Sequence, residues 1–125
     1  WGDEFNPSYA CMRQSHNGKF LPACVDSYPI DESVYGVRGM AGNMVDWTHT
    51  LWQEKGSSIQ GGRVIDSADV QNDVASRVLK GGSWNLGAST LRAANRMVNA
   101  PGRRNSYYGF RLARSLTADD YSSQS

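Results

Sequence analysis

YGVRGMAGNMVDWT, residues 35–48, is the stretch on which the fold turns. Its Ala41-Gly42-Asn43 triplet allows a tight turn at positive φ, which glycine adopts freely and asparagine tolerates. Asp46 can then accept hydrogen bonds from that turn or ligate a cation. Working outward, helical periodicity is nearly absent. The one helix the pattern allows begins near Asp69 or runs over 41–52. Strand-like runs are short, at 77–80, 91–98 and 107–113. After the first of these, Gly81-Gly82 lets the backbone pass close to a neighbouring strand before Trp84 is buried. In the last, Gly109-Phe110-Arg111 sets an aromatic ring and a guanidinium on opposite faces. QEKGSSIQGGR (53–63) and NAPGRRNS (99–106) read as exposed loops, and 117–125 as a polar tail. The expectation is a loop-rich α+β domain with little regular structure. Trp1, Trp47, Trp52 and Trp84 supply burial area to hold it, Trp52 lying nearest solvent.

Length and composition bound what this chain can be. Its 125 residues and 13.8 kDa suffice for one domain with a modest core. At 39% hydrophobic and 20% charged it is globular in composition. No apolar run approaches the ~20 residues of a membrane helix, so no membrane partner is expected. The chain opens at Trp1 rather than Met and reads as a processed product or a fragment. The net charge of +1 hides a strong asymmetry. Residues 1–73 carry 5 basic and 10 acidic groups, whereas 74–118 carry 8 basic groups and no acidic one. An anion-binding surface is one reading of that segment. Pairing with the acidic half is the expected one, because the arginines are spread out and arginine suits bidentate pairing. No nucleic-acid partner is expected.

The usual catalytic constellations find no footing. Ser83 lacks the GxSxG setting, and Gly81-Gly82 beside Lys80 is not a phosphate loop. Asp31-Glu32 sits in a proline-adjacent loop and reads as solvated. His16 and His49 stand at no metal-ligand spacing. Cys11 and Cys24 could form one bridge, closing a loop of moderate length, or stay reduced; the Cα distance that decides is not readable from sequence. The compartment is likewise open.

Four blocks in fixed order carry an identification: WGDEF (1–5), YGVRGMAGNMVDWT (35–48), RVLKGGSW (77–84), and LRAANR (91–96) closing with YGFRLAR (108–114). Together they resemble the formylglycine-generating-enzyme/sulfatase-modifying-factor domain, also called the FGE-sulfatase domain, which implies a variant of the C-type-lectin fold. The resemblance covers residues 1–116 and is nearest to versions fused to bacterial protein kinases. The family domain is longer, and WGDEF falls near its middle. The chain therefore reads as the C-terminal part of such a domain. It would then borrow a partner polypeptide, derive from a larger protein, or be a compact minimal version.

Departures from the family pattern matter as much as the matches. Formylglycine-generating enzymes carry two copper-binding cysteines just after GGSW, whereas 85–95 reads NLGASTLRAAN. Soft copper(I) needs thiolates, so no copper is expected. The resemblance also implies a calcium site on Gly42, Met44 and Asp46, with Gly39 replacing one ligand; calcium wants six to eight oxygens, and a water could fill the gap. A second branch forms the C-terminal half of iron-dependent sulfoxide synthases. The run from Arg96 through Pro101, Arg103 and Arg104 to Arg111 is similar to that branch, but its substrate-contacting Trp-Asp pair falls on Val98-Asn99. A third branch comprises the variable display proteins of diversity-generating retroelements. Their hypervariable positions correspond to Asn85, Leu86, Gly87, Asn95, Met97, Asn99, Arg104, Ser106, Tyr107 and Tyr108.

The resulting expectation is a binding module without catalytic residues of its own, for a protein or small-molecule ligand, built on 85–108. Arg92, Arg96, Arg103 and Arg104 would contact an anion or carboxylate. Trp84, Tyr107 and Tyr108 would be apolar anchors, and Asn85, Asn95 and Asn99 adaptable hydrogen-bonding groups. The competing expectation is the substrate-binding part of a metal-dependent oxidoreductase whose metal lies upstream.

Overall fold

The structure, a computed structural model, describes residues 2–16, 20–65 and 73–114. Its regular elements are six short strands and a few single 3-10 turns. β1 is Val45–Leu51, β2 Ser58–Gln60, β3 Arg63–Ile65, β4 Arg77–Lys80, β5 Met97–Asn99 and β6 Tyr108–Gly109. Four of them form one sheet in the order β5-β4-β1-β6, while β2 and β3 make a separate hairpin. β1 runs antiparallel to β4, with Trp47 opposite Leu79 and Asp46 opposite Lys80. β6 joins the other side of β1 in parallel, with Val45 opposite Tyr108. The chain therefore leaves β5 at one edge and crosses three strand spacings, about 14 Å, to reach β6 at the other. This strand-dominated, loop-rich arrangement agrees with the C-type-lectin-like architecture.

Two sequence expectations are corrected. Residues 41–52 contain a strand, not a helix. Val45, Trp47, Thr48 and Thr50 are the β-branched and aromatic types that lose rotamer freedom in a helix and pack well on a pleated surface. The Thr48 hydroxyl also donates to the Val78 carbonyl at 2.8 Å across the pair. The run 53–63 is not all loop, since it holds β2 and the turn of a hairpin. Gly61 and Gly62 both take positive φ, 57° and 75°, as the tight turn that matches strand twist requires. The alternative helix near Asp69 and the tail 117–125 lie outside the described residues. β4 falls on the expected 77–80, but 91–98 and 107–113 yield strands of only three and two residues.

The core is small. Val45, Val78 and Leu79 of the sheet are buried together with Ala10, Cys11 and Met12. Gly42 lets the two groups meet. Its φ is 78°, and a Cβ there would collide with the carbonyl of Cys11. The N–H of Asn43, itself at a positive φ of 58°, then donates to that same carbonyl at 2.7 Å. Trp47, Trp52 and Trp84 are half-buried rather than enclosed. Outside this core, large apolar side chains remain in solvent: Tyr35 is 90% exposed, Phe110 74% and Leu112 93%.

Candidate functional site

The residues expected to form a surface between 84 and 108 separate into three groups. The first gathers around β6. Asn99 Nδ2 donates to the Tyr108 hydroxyl at 2.8 Å, tying the start of the sheet-crossing segment to its end. Tyr108 meets Trp47 edge-on at 5.7 Å between centroids, and Tyr107 meets Tyr108 at 5.0 Å. Burial, then the neighbouring Tyr108, raises the pKa of Tyr107. These rings form an aromatic wall with one amide fixed against it.

A second group has become structural. Arg96 lies over the Trp52 ring, 4.6 Å from its centroid, and donates to the Gln53 carbonyl at 3.0 Å and to that of Glu54. Its guanidinium holds the 52–56 loop. Lys80 plays a similar part for residues 93–95, its ammonium donating to the carbonyls of Ala93 and Asn95. Burial, then the charge of Arg96, lowers the pKa of Lys80. Asn85 is engaged as well: its side chain accepts from Ser83 at 2.8 Å, and its carbonyl accepts from Arg13 Nε at 2.9 Å.

The third group is available. Arg92, Arg103 and Arg104 are exposed, and no carboxylate pairs with them among the described residues. Two donors nearby in sequence are orphaned: Trp84 Nε1 and Asn95 Nδ2 are buried without a hydrogen-bond partner among the described residues. Buried N–H groups are normally paired, with protein, water or ligand.

Asp46 is already occupied by a cation. Arg111 Nε donates to Asp46 Oδ2 at 2.6 Å, Nη1 to the Arg38 carbonyl at 2.6 Å and Nη2 to the Gly39 carbonyl. One carboxylate and two backbone carbonyls are the oxygen types a calcium ion takes. A calcium ion on Gly42, Met44 and Asp46 would have to compete with this guanidinium. The Arg111–Asp46 pair also realises the expected pairing of the basic segment with the acidic half. Arg77 Nη1 donates to the His49 carbonyl at 2.9 Å. Among the described residues no three His, Cys, Asp or Glu side chains gather as a metal site.

Sequence reasoning passed over two concavities among the described residues. An open depression of about 670 Å³ is lined by Ser8, Ser15, His16, Leu21, Ala23 and Tyr28, among others. A smaller cavity of about 80 Å³ is bordered by Cys11, Cys24, Tyr28, Asp31, Asn43 and Arg111, among others. Asp31, read as solvated, is only 5% exposed. Its carboxylate accepts from the Ala41 N–H at 3.1 Å, and burial raises its pKa against the pull of that bond and of Arg111. No spacing in the sequence marks these residues as neighbours, since they come from segments far apart in the chain.

Comparison with known proteins matches the chain to one family. The sulfatase-modifying factor enzyme 1-like domain, FGE-sulfatase, matches residues 1–116. The chain belongs to the FGE-sulfatase family. It is 36% identical over 92 residues to the serine/threonine-protein kinase pkn1 of Chlamydia pneumoniae, covering 74% of this chain and 14% of that protein. Over 115 residues it is 36% identical to pkn1 of Chlamydia caviae, covering 92% of the chain and 17% of the kinase. It is also 33% identical over 116 residues to the hercynine oxygenase of Mycolicibacterium smegmatis, covering 90% of the chain and 27% of the oxygenase. The chain thus spans a minor part of each of these relatives.

Proposed function

We propose that the chain is the C-terminal part of an FGE-sulfatase domain that acts as a binding module for a carboxylate-bearing ligand, a protein segment or small molecule, on the 84–108 surface. The orphaned donors Trp84 Nε1 and Asn95 Nδ2 carry this reading, because a buried N–H without an acceptor costs about 1–3 kcal/mol that a ligand oxygen restores. The guanidinium groups of Arg92, Arg103 and Arg104, without a carboxylate partner among the described residues, support it: they draw anions and can grip a carboxylate with two parallel bonds. Tyr107 and Tyr108 supply the apolar side and Asn99 an amide, while Arg96 and Asn85 serve the scaffold. No thiol stands between Ser83 and Arg96 to hold copper(I). The test is a nitrogen-15 NMR titration with N-acetyl amino acids and their amides. The acids should shift the Trp84 indole and Asn95 amide signals and the amides should not; Arg103→Ala/Arg104→Ala should weaken the response about tenfold or more. Silence of both signals throughout would sink this reading.

A second reading has its own support. Similarity to hercynine oxygenase over 90% of the chain fits the substrate-binding part of an oxidoreductase whose metal is held elsewhere in a longer protein. Iron-dependent turnover by the full-length protein, lost on changing Arg103 or Arg104, would favour it. On either reading the rest of the domain is the proposed partner, supported by the exposed Phe110 and Leu112 on either side of the anchored Arg111.

A further inference from the structure

The segment 21–24 wraps the thiol of Cys11. Cys11 Sγ lies 3.6 Å from the Leu21 carbonyl, and Cys11 borders the same cavity as Tyr28. Asn43 holds the two backbones in place from one residue. Its N–H binds the Cys11 carbonyl at 2.7 Å, and its side-chain amide binds both the N–H and the carbonyl of Ala23, at 2.9 and 3.0 Å. The next residue is Cys24, and Cys11 and Cys24 border the same cavity of about 80 Å³. Both are free thiols, Cys11 buried and Cys24 exposed. His16 Nε2 stands 3.6 Å from Cys11 Sγ. Neither cysteine has a part in the ligand-binding reading.

We propose that Cys11 and Cys24 are a reversible dithiol–disulfide pair, closed by small-molecule disulfides such as oxidised glutathione. The exposed Cys24 thiolate attacks the glutathione disulfide, breaking its S–S bond, and one glutathione thiolate leaves. Cys11 then attacks the Cys24 sulfur of the mixed disulfide. Its proton passes to His16, the Cys11–Cys24 bond forms, and the second glutathione thiolate leaves to be reprotonated. The two cysteines are oxidised by two electrons, and one oxidised glutathione becomes two reduced ones. Burial raises the pKa of Cys11 and disfavours it as the first attacker, so the exposed Cys24 opens the reaction and Cys11 enters with His16, 3.6 Å away, to take its proton. The bridge would pin 21–24 across the cavity that Asp31 and Arg111 border, and dithiothreitol would release it.

The experiment is incubation of the native chain with oxidised glutathione, followed by mass spectrometry of the intact protein and of its peptides. The expected product is lighter by about 2 Da and yields one peptide pair joined through Cys11 and Cys24. Cys11→Ser should stop at a glutathione adduct on Cys24, and Cys24→Ser should remain unmodified. His16→Gln should slow conversion of the adduct to the bridge by about tenfold or more. Overturning results are a lasting Cys24 adduct in the unaltered protein, two free thiols, or disulfide-linked dimers in place of the internal bridge. All of these readouts are independent of any ligand on the 84–108 surface.

Discussion

Asp31 and Arg111 show how much one side chain can decide. Asp31 is a carboxylate whose burial favours its protonated form, so its pKa in the folded chain lies above the unfolded value of 3.8. The folded state therefore binds more protons between those two values, and stability falls as pH rises through that window. Below 3.8 both states are protonated and the penalty vanishes. Thermal melts from pH 7 down to pH 4 should show the unaltered protein gaining stability relative to Asp31→Asn; parallel curves would refute it. Arg111 makes the complementary prediction. Its guanidinium takes Asp46 and two carbonyls, so calcium should leave the melting temperature of the unaltered protein unchanged. Arg111→Gln frees those oxygens and should acquire a calcium-dependent rise, removed by chelator. A calcium-dependent rise in the unaltered protein would show that the ion displaces the arginine.

At the scale of elements, the fold depends on close approach and on arginine and lysine tethers more than on long strands. Gly42→Ala would place a methyl against the Cys11 carbonyl in a left-handed backbone, and should cost about 2–4 kcal/mol in denaturant melts. The arginines separate cleanly by role. Arg96→Ala removes a cation–π contact and two carbonyl hydrogen bonds, and should destabilise by about 1–3 kcal/mol. Arg104→Ala should leave stability within about 0.5 kcal/mol while weakening ligand binding. Equal losses of stability in both variants would refute this division. Sequence reasoning grouped all four arginines because they share a carboxylate-free stretch. It could not see that Trp52 and the Gln53 carbonyl would claim one of them, for that pairing spans 43 positions.

For the molecule as a whole, the balance between buried and exposed apolar surface sets behaviour. The buried apolar side chains among the described residues are few, while Val34, Tyr35, Phe110 and Leu112 are at least 74% exposed. Exposed large apolar side chains favour association. Alone, the chain should self-associate and bind a hydrophobic dye; joined to the remainder of the domain proposed above it should run as a monomer with dye binding suppressed. Analytical ultracentrifugation of both forms checks this, and a dye-silent monomeric isolated chain would refute it.

The sequence by itself determined the family, through four ordered blocks rich in glycine and aromatic residues. It also determined strand β4, the Gly42–Asn43 turn and the want of copper-binding thiols after GGSW, because local conformation and residue chemistry are written position by position. It misread 41–52 as a possible helix, since aromatic and β-branched positions show their preference only when a partner strand is present to pack on. Only the tertiary structure decided which arginines are tethers and which are free, that Arg111 pairs with Asp46, and that Cys11 meets the residues beside Cys24. Those are meetings between segments distant in sequence, fixed by the packing of the whole chain and by no local pattern.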